Sequence, residues 1–313
     1  MIPCKRLSFF FLSTLYAPIA LASPAGEAVG AEALAMGGAA AASPDDNSAV
    51  TLNPATIALS ERYDLHGLFR YGPGAGLHWG ATIVDSRTSK HLAAGLAYTG
   101  TRFDGPLVPG EMAGWKLPGV PVPNEKRVHD ITFALAVPLL DRRLSLGVNG
   151  NVSRYDHDRF GEGTAFNTDF GLALRPVDWL VFSAVGRNLL PLDHFGDRPF
   201  GLLGALRLQD DGIGAVEVDV EWVDLEADRR IGWAAGAAKT LGKSAVLRAG
   251  FRDDVLRERQ DVTFGFSLRG GNASITWGAA VPLGMGGDTL KGMVNQVGIT
   301  FDMPDPHQLE GFD

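Results

Sequence analysis

The stretch Leu144-Ser145-Leu146-Gly147-Val148-Asn149-Gly150-Asn151-Val152-Ser153 decides the fold class. Leu144, Leu146, Val148 and Val152 fall on one side of an extended chain, and Ser145, Gly147, Asn149, Asn151 and Ser153 on the other. Successive side chains of a strand point to opposite faces, so this is a period of two with one dry and one polar face. Val216-Glu217-Val218-Asp219-Val220-Glu221-Trp222 repeats the pattern with acidic residues in strict turn. Ala245, Leu247, Ala249 and Phe251 do the same against Val246, Arg248, Gly250 and Arg252.

From Arg62 onward the chain contains about fourteen such segments of the ~9–11 residues that a tilted, membrane-spanning strand needs. They centre near Phe69, Trp79, Leu96, Phe133, Val148, Phe170, Phe182, Leu206, Val218, Trp233, Leu247, Phe264, Trp277 and Ile299. Short connections (Asp85–Lys90, Leu140–Arg143, Arg175–Asp178, Gln209–Gly212, Leu241–Ser244, Arg269–Asn272) alternate with mostly longer ones (Thr101–Arg127, Tyr155–Gly163, Leu189–Arg198, Asp224–Arg230, Asp253–Gln260, Pro282–Gly292), Gly72–Gly74 being a short exception. Outer-membrane barrels alternate tight periplasmic turns with longer extracellular loops and have an even strand number. A soluble β-sandwich also alternates apolar and polar residues, but nothing requires its loops to alternate in length. Tyr71, Tyr98, Tyr155, Trp222 and Trp233 fall near one set of strand ends, and Tyr63, Trp179 and Phe301 near the other, as interfacial girdles would. The expected fold is all-β: a transmembrane antiparallel barrel, its last strand near Val294–Phe301 pairing with its first near Tyr63–Tyr71.

Composition agrees. The 313 residues include 40 Gly, about twice the usual ~7% share, too many for a helical bundle. A hydrophobic fraction of 45% is too high for a disordered chain. Outside the first 22 residues no uninterrupted apolar run nears the ~18 of a transmembrane helix. Lys5 and Arg6 followed by Leu7–Ile19 and Ala20-Leu21-Ala22 read as a cleavable signal peptide, residues 1–22. Cleavage there leaves Ser23–Asp313 without a cysteine, since Cys4 is the only one. Lys and Arg together fall from 28 to 26 against 36 Asp and Glu, so the net charge moves from −8 to −10, which argues against nucleic acid as a partner.

The polar strand face must line the lumen. It carries Asp64, His66, Arg70, Asp169, Arg187, Arg207, Glu217, Asp219, Glu221, Arg248, Arg252 and Arg269 among many Gly, Ala, Ser and Thr. Such charges must meet water or each other, and solvation in a wet pore is the simplest expectation for each. Small lumen residues also leave room for a ligand or a folded-in segment.

Residues 23–60 show no alternation. They read Gly30-Ala31-Glu32-Ala33-Leu34-Ala35-Met36-Gly37-Gly38-Ala39, then Pro44-Asp45-Asp46-Asn47-Ser48-Ala49, then Leu52-Asn53-Pro54-Ala55. A small-residue run with Met-Gly-Gly-Ala, an Asp-Asp-x-Ser-Ala stretch and Asn-Pro-Ala just ahead of the first strand resembles the start of the FadL-type outer-membrane proteins. PorV-type proteins of the type IX secretion system share that start, and Val185-Gly186-Arg187-Asn188-Leu189 is a second, weaker shared feature. The resemblance implies a fourteen-strand barrel whose N-terminal segment is a hatch folded into the lumen, with Asp45, Asp46, Asn53, Pro54 and Ala55 in it. It also implies that hydrophobic molecules such as long-chain fatty acids bind inside and leave sideways into the membrane.

The expected organisation is a signal peptide (1–22), a hatch-like segment (23–60), a barrel (61–303) and a periplasmic tail (304–313) in a Gram-negative outer membrane. Partners would be outer-membrane lipid and a hydrophobic small molecule, with secretion-system proteins as the alternative. Arg187, Glu217, Asp219, Glu221, Arg248 and Arg252 are the lumen candidates, and Leu107 and Trp115 in the apolar loop Pro106–Pro123 are candidates for an entry surface. Asp156-His157-Asp158 has metal-ligand chemistry, but adjacent strand residues alternate faces and no second cluster is evident, so neither metal nor cofactor is expected. Ser153, His157 and Asp158 carry no hydrolase motif, and no enzyme is expected. Gly284-Met285-Gly286-Gly287 has no helix after it and is no phosphate cradle.

Overall fold

The structure, a computed structural model, describes residues 30–72, 76–112, 115–157, 161–190, 200–210, 213–225, 228–254, 259–283 and 292–303, without the side chains of 104–124, 157, 225 and 228. The expected signal peptide and tail lie outside these residues. Two short helices, α1 (Ala31–Ala35) and α2 (Ala49–Leu52), and a 3-10 turn, η1 (Pro54–Ala58), precede fourteen strands. These are β1 (Tyr63–Gly72), β2 (Gly76–Asp85), β3 (Ala93–Met112), β4 (Trp115–Leu139), β5 (Leu144–His157), β6 (Gly161–Val177), β7 (Leu180–Arg187), β8 (Gly201–Asp210), β9 (Gly214–Leu225), β10 (Asp228–Leu241), β11 (Ala245–Asp254), β12 (Arg259–Gly270), β13 (Ala273–Pro282) and β14 (Val294–Asp302). Each strand contains one of the centres read from the sequence.

Every strand pairs antiparallel with its sequence neighbours, and β14 closes the barrel on β1 with Ile299 opposite Gly67 and Val297 opposite Phe69. Closure satisfies the backbone groups that an open edge would leave unpaired in lipid. The alternation settles which face is which. Phe69, Ile131, Phe133, Val152, Phe170, Phe182, Leu206, Val218, Leu247, Phe264 and Ile299 are each 39–51% exposed on the outer wall. An apolar belt running round the outer wall is what a lipid-facing surface requires. Among the described residues no helix is long and apolar enough to cross a membrane.

Two expectations need correction. Thr101–Arg127 is no loop: β3 and β4 continue pairing from Ala93–Ala136 out to Met112–Trp115, with register breaks between Gly105 and Val108 and between Pro109 and Gly110. The glycines and prolines that read as a loop are absorbed at these irregularities, where a strand tolerates a residue without an N–H. Tyr155–Gly163 and Asp224–Arg230 are likewise taken up largely by lengthened strands. Second, Tyr155 belongs to no girdle. It shares the inward parity of Asn151 and Ser153 and is only 9% exposed.

Candidate functional site: the lumen and its inner segment

Gly30 to Leu59 lies inside the barrel, against β2 to β14. Its path follows from three local devices. After α1, Gly37 and Gly38 adopt φ of +77° and +90°, the left-handed region that glycine enters at no steric cost. Gly38 N–H donates to Ala33 O at 2.7 Å and Gly37 N–H to Leu34 O at 3.1 Å, the paired bonds of a Schellman stop. The chain therefore reverses and carries Ala39 to Ala42 across the lumen. Asp46 Oδ1 accepts the Ser48 N–H at 2.7 Å, turning the chain into α2. Asn53 Oδ1 accepts the Ala55 N–H at 3.1 Å, capping η1 with Pro54 at its first position. The other end of that amide, Nδ2, donates to Ala41 O at 2.8 Å. One Asn thus caps η1 and braces the turn at Ala41 beside it.

The barrel meets this segment with acids. Asp219 Oδ2 accepts the N–H groups of Ala40 and Ala41, both at 3.1 Å. Glu217 Oε1 accepts the Ala42 N–H at 2.7 Å, and Oε2 accepts the Ser43 hydroxyl at 2.7 Å. Arg207 donates to both Ser43 Oγ and Glu217 Oε2, at 2.7 and 2.9 Å. Ser183 donates to Ala41 O at 2.8 Å. Three successive buried backbone N–H groups are met by two carboxylates on one strand.

Further round the wall, on β11 and β13, Arg248 pairs with Glu32 of α1 at 2.9 Å, and Thr276 donates to the same carboxylate at 3.2 Å. Burial opposes ionisation of Glu32, but Arg248, Arg269 and His66 outweigh it and hold the carboxyl below its usual range. Burial, and then the Glu32 charge, push the Asp46 carboxyl up instead. Arg62 at the barrel entrance donates to Asp46 O at 3.0 Å. In the β4–β5 turn Leu140, Asp141 and Arg142 are all left-handed, at roughly 1–2 kcal/mol each. The turn delivers the Arg142 guanidinium to Ala58 O at 3.0 Å and Ser86 O at 2.8 Å, tying the end of the segment to the β2–β3 turn.

Packing supplies the rest. Ala41, Ala42, Ala55 and Leu59 meet Ala173, Val181, Val185 and Leu203. Ala49, Val50 and Ile57 meet Val84, Ala93 and Ala134, and Leu34 and Leu52 meet Ala280 and Val294. The segment has no broad apolar face, as its composition implies, yet its few large residues each fill a pocket between small wall residues. Glycines on the lumen face make the approach: a Cβ at Gly250 would collide with the Met36 and Gly37 backbone, one at Gly147 with Pro54 and Ala55, and one at Gly171 with Asn53 Oδ1.

Of the residues singled out in the sequence, Asn53, Pro54 and Ala55 are buried, Asp46 is buried and Asp45 is exposed. Glu217, Asp219 and Arg248 touch the inner segment. Arg187 pairs instead with Glu221 at 2.5 Å, and Arg252 with Asp261 at 2.6 Å. The lumen charges are therefore paired with one another or with the segment, and plain solvation does not describe them. Val185–Leu189 forms a corner where Asn188, at φ +56°, donates its N–H to Asp169 at 2.9 Å and accepts from Asn167 at 2.6 Å. Leu107 and Trp115 lie on the β3–β4 extension, their side chains outside the described residues. Sequence reasoning passed over Glu32, Ser43, Ser183 and Arg142. The lumen-side parity of Ser183 was a usable signal, whereas the reach of Arg142 depends on a turn conformation that no motif announces. Among the described residues no cluster of His, Cys, Asp and Glu could hold a metal ion.

The sequence matches no protein-family model and no curated protein sequence. The fold is another matter. The CymD monoaromatic hydrocarbon channel superposes with a TM-score of 0.65 at 13% identity, over 88% of this chain and 98% of that one. The Pseudomonas putida toluene transporter TodX gives 0.65 at 14% identity, over 87% and 96%. A Pseudomonas aeruginosa FadL homologue gives 0.62 at 13% identity, over 88% and 98%. The fold is thus a closed fourteen-strand antiparallel β-barrel, the fold shared with these channels and with the FadL homologue.

Proposed function

We propose that the chain is an outer-membrane channel for small hydrophobic molecules, with residues 23–60 as its hatch. The observation that carries this reading is the inner segment: a FadL-type barrel holds Gly30–Leu59 across its lumen by side-chain bonds and small apolar contacts, so the segment can shift without breaking the ladder of the wall. The neighbours of like fold, a toluene transporter and a monoaromatic hydrocarbon channel, favour this over a secretion-type role. Export by the signal peptide, the short-turn end in the periplasm of a Gram-negative cell, and a tail at 304–313 on that side complete the reading.

The test is deletion of Ala25–Asp46 in the full chain, reconstituted in liposomes. The expected result is a folded barrel that conducts small ions and no longer shows selective uptake of toluene or a long-chain fatty acid. A deletion variant indistinguishable from the parent in both assays would overturn the hatch, and a parent that takes up neither compound would overturn the substrate class.

A further inference from the structure

The outer wall over β8 to β12 is not a smooth belt. It holds a groove of about 930 Å³, within the ~300–1,000 Å³ range of small-molecule sites. The cause is a mismatch in side-chain size. β10 turns Ala235 and Ala237 outward, opposite Val218, Val216, Phe251 and Ala249 on its neighbours. Leu208 and Ile213 bound the depression on one side, and Leu247, Phe264 and Phe266 on the other. The lumen face of the same wall is equally bare: Gly236 and Gly250 sit opposite each other and seat Met36. The groove ends in polarity. Lys239 lies two residues beyond Ala237 on the same outward parity, and Lys243 is in the adjoining turn. Asp210, at the same end, accepts the Ile213 N–H at 3.0 Å and so caps its own turn.

An apolar trough running into an outward lysine at the edge of the lipid belt is complementary to one kind of molecule: an acyl chain with an anionic headgroup. We propose that this groove binds one acidic phospholipid of the leaflet at the short-turn end, a chain lying over Ala237 and Ala249 and its phosphate at Lys239. The inference rests on the membrane reading above. A second copy of the chain would bury the apolar trough but would have to bury Lys239 with it.

The test is native mass spectrometry of the full-length protein in mild detergent, with phosphatidylglycerol and phosphatidylethanolamine of matched chains. The expected result is one retained phosphatidylglycerol, favoured about fivefold, as one surface lysine near an anionic lipid implies. Lys239→Gln should bring the ratio close to unity while chain binding persists. Ala237→Phe and Ala249→Phe should each remove both adducts while the barrel keeps its heat-shifted gel mobility. Equal retention of the two lipids by the parent, or unchanged adducts in a folded Ala237→Phe, would overturn the site; so would a dimer that Ala237→Phe dissolves. If the Phe variants do not fold, the Lys239→Gln ratio still decides. A chain that stays soluble without detergent would fail the membrane reading itself, a distinguishable outcome.

Discussion

Asp219 and Glu217 carry the most concentrated bonding in the lumen, and their replacement has a defined consequence. Bonds to a charged acceptor contribute about 1.5–3 kcal/mol each. Asp219→Ala should therefore speed amide exchange at Ala40 and Ala41 by one to several orders of magnitude while leaving exchange in the wall strands unchanged. Gly250→Val tests the glycine seat: its side chain would strike Met36 and Gly37, so the barrel should form with residues 30–43 newly open to protease, whereas Gly67→Ala, into open space, should be silent. The two acids of the segment respond to pH with opposite sign. The Asp46 carboxyl sits above its ordinary value, so its charge weakens the fold, and stability rises as pH falls through its raised value. The Glu32 carboxyl sits below, so its contribution is present above its ordinary value and disappears as pH falls through the lowered one. Protection of the amides across 30–48, after correction for the intrinsic pH dependence of exchange, should thus rise on mild acidification and fall in stronger acid, and Asp46→Asn should abolish only the rise.

At the level of the strand, position in the membrane decides the cost of a charge. Ile299, facing lipid in the middle of β14, should lose roughly 2–4 kcal/mol on replacement by Arg, and Phe301, beside the turn end, about 0–1, measured by reversible unfolding in bilayers. The strands were legible because one physical rule, dry face against polar face, repeats at every one of them. Glu217, Asp219 and Glu221 announced a lumen face by alternation alone. What that rule could not show was where a strand stops. Pro106, Pro109 and Pro121 are turn residues in any local reading, and only pairing across the long β3–β4 hairpin keeps them in extended chain. The same rule does place Tyr155 inward once parity is counted from Ser153; its aromatic ring is no guide against that count. The segment ahead of β1 is silent by periodicity: its fixings are single contacts between residues far apart in sequence, such as Ser183 with Ala41.

For the whole molecule, the wall and the filling are separate cohesive systems. The wall is a closed backbone ladder, and the filling is held by side chains. Arg142→Ala should release the segment end at Ala58 from the β2–β3 turn at Ser86 and leave the barrel intact, visible as raised mobility of a spin label near Leu59 without a change in strand content. The seam adds a constraint of order. It joins β1 to β14, so the sheet cannot be sealed until the final strand has been made and placed, and contacts this distant in sequence form slowly. The inner segment is spliced directly to β1, one lip of that seam. It must therefore already lie on the concave side of an open sheet when the last strand arrives, as a page is laid in before a book is bound; a barrel zipped up first would leave those thirty residues stranded outside a wall with no door wide enough to admit them.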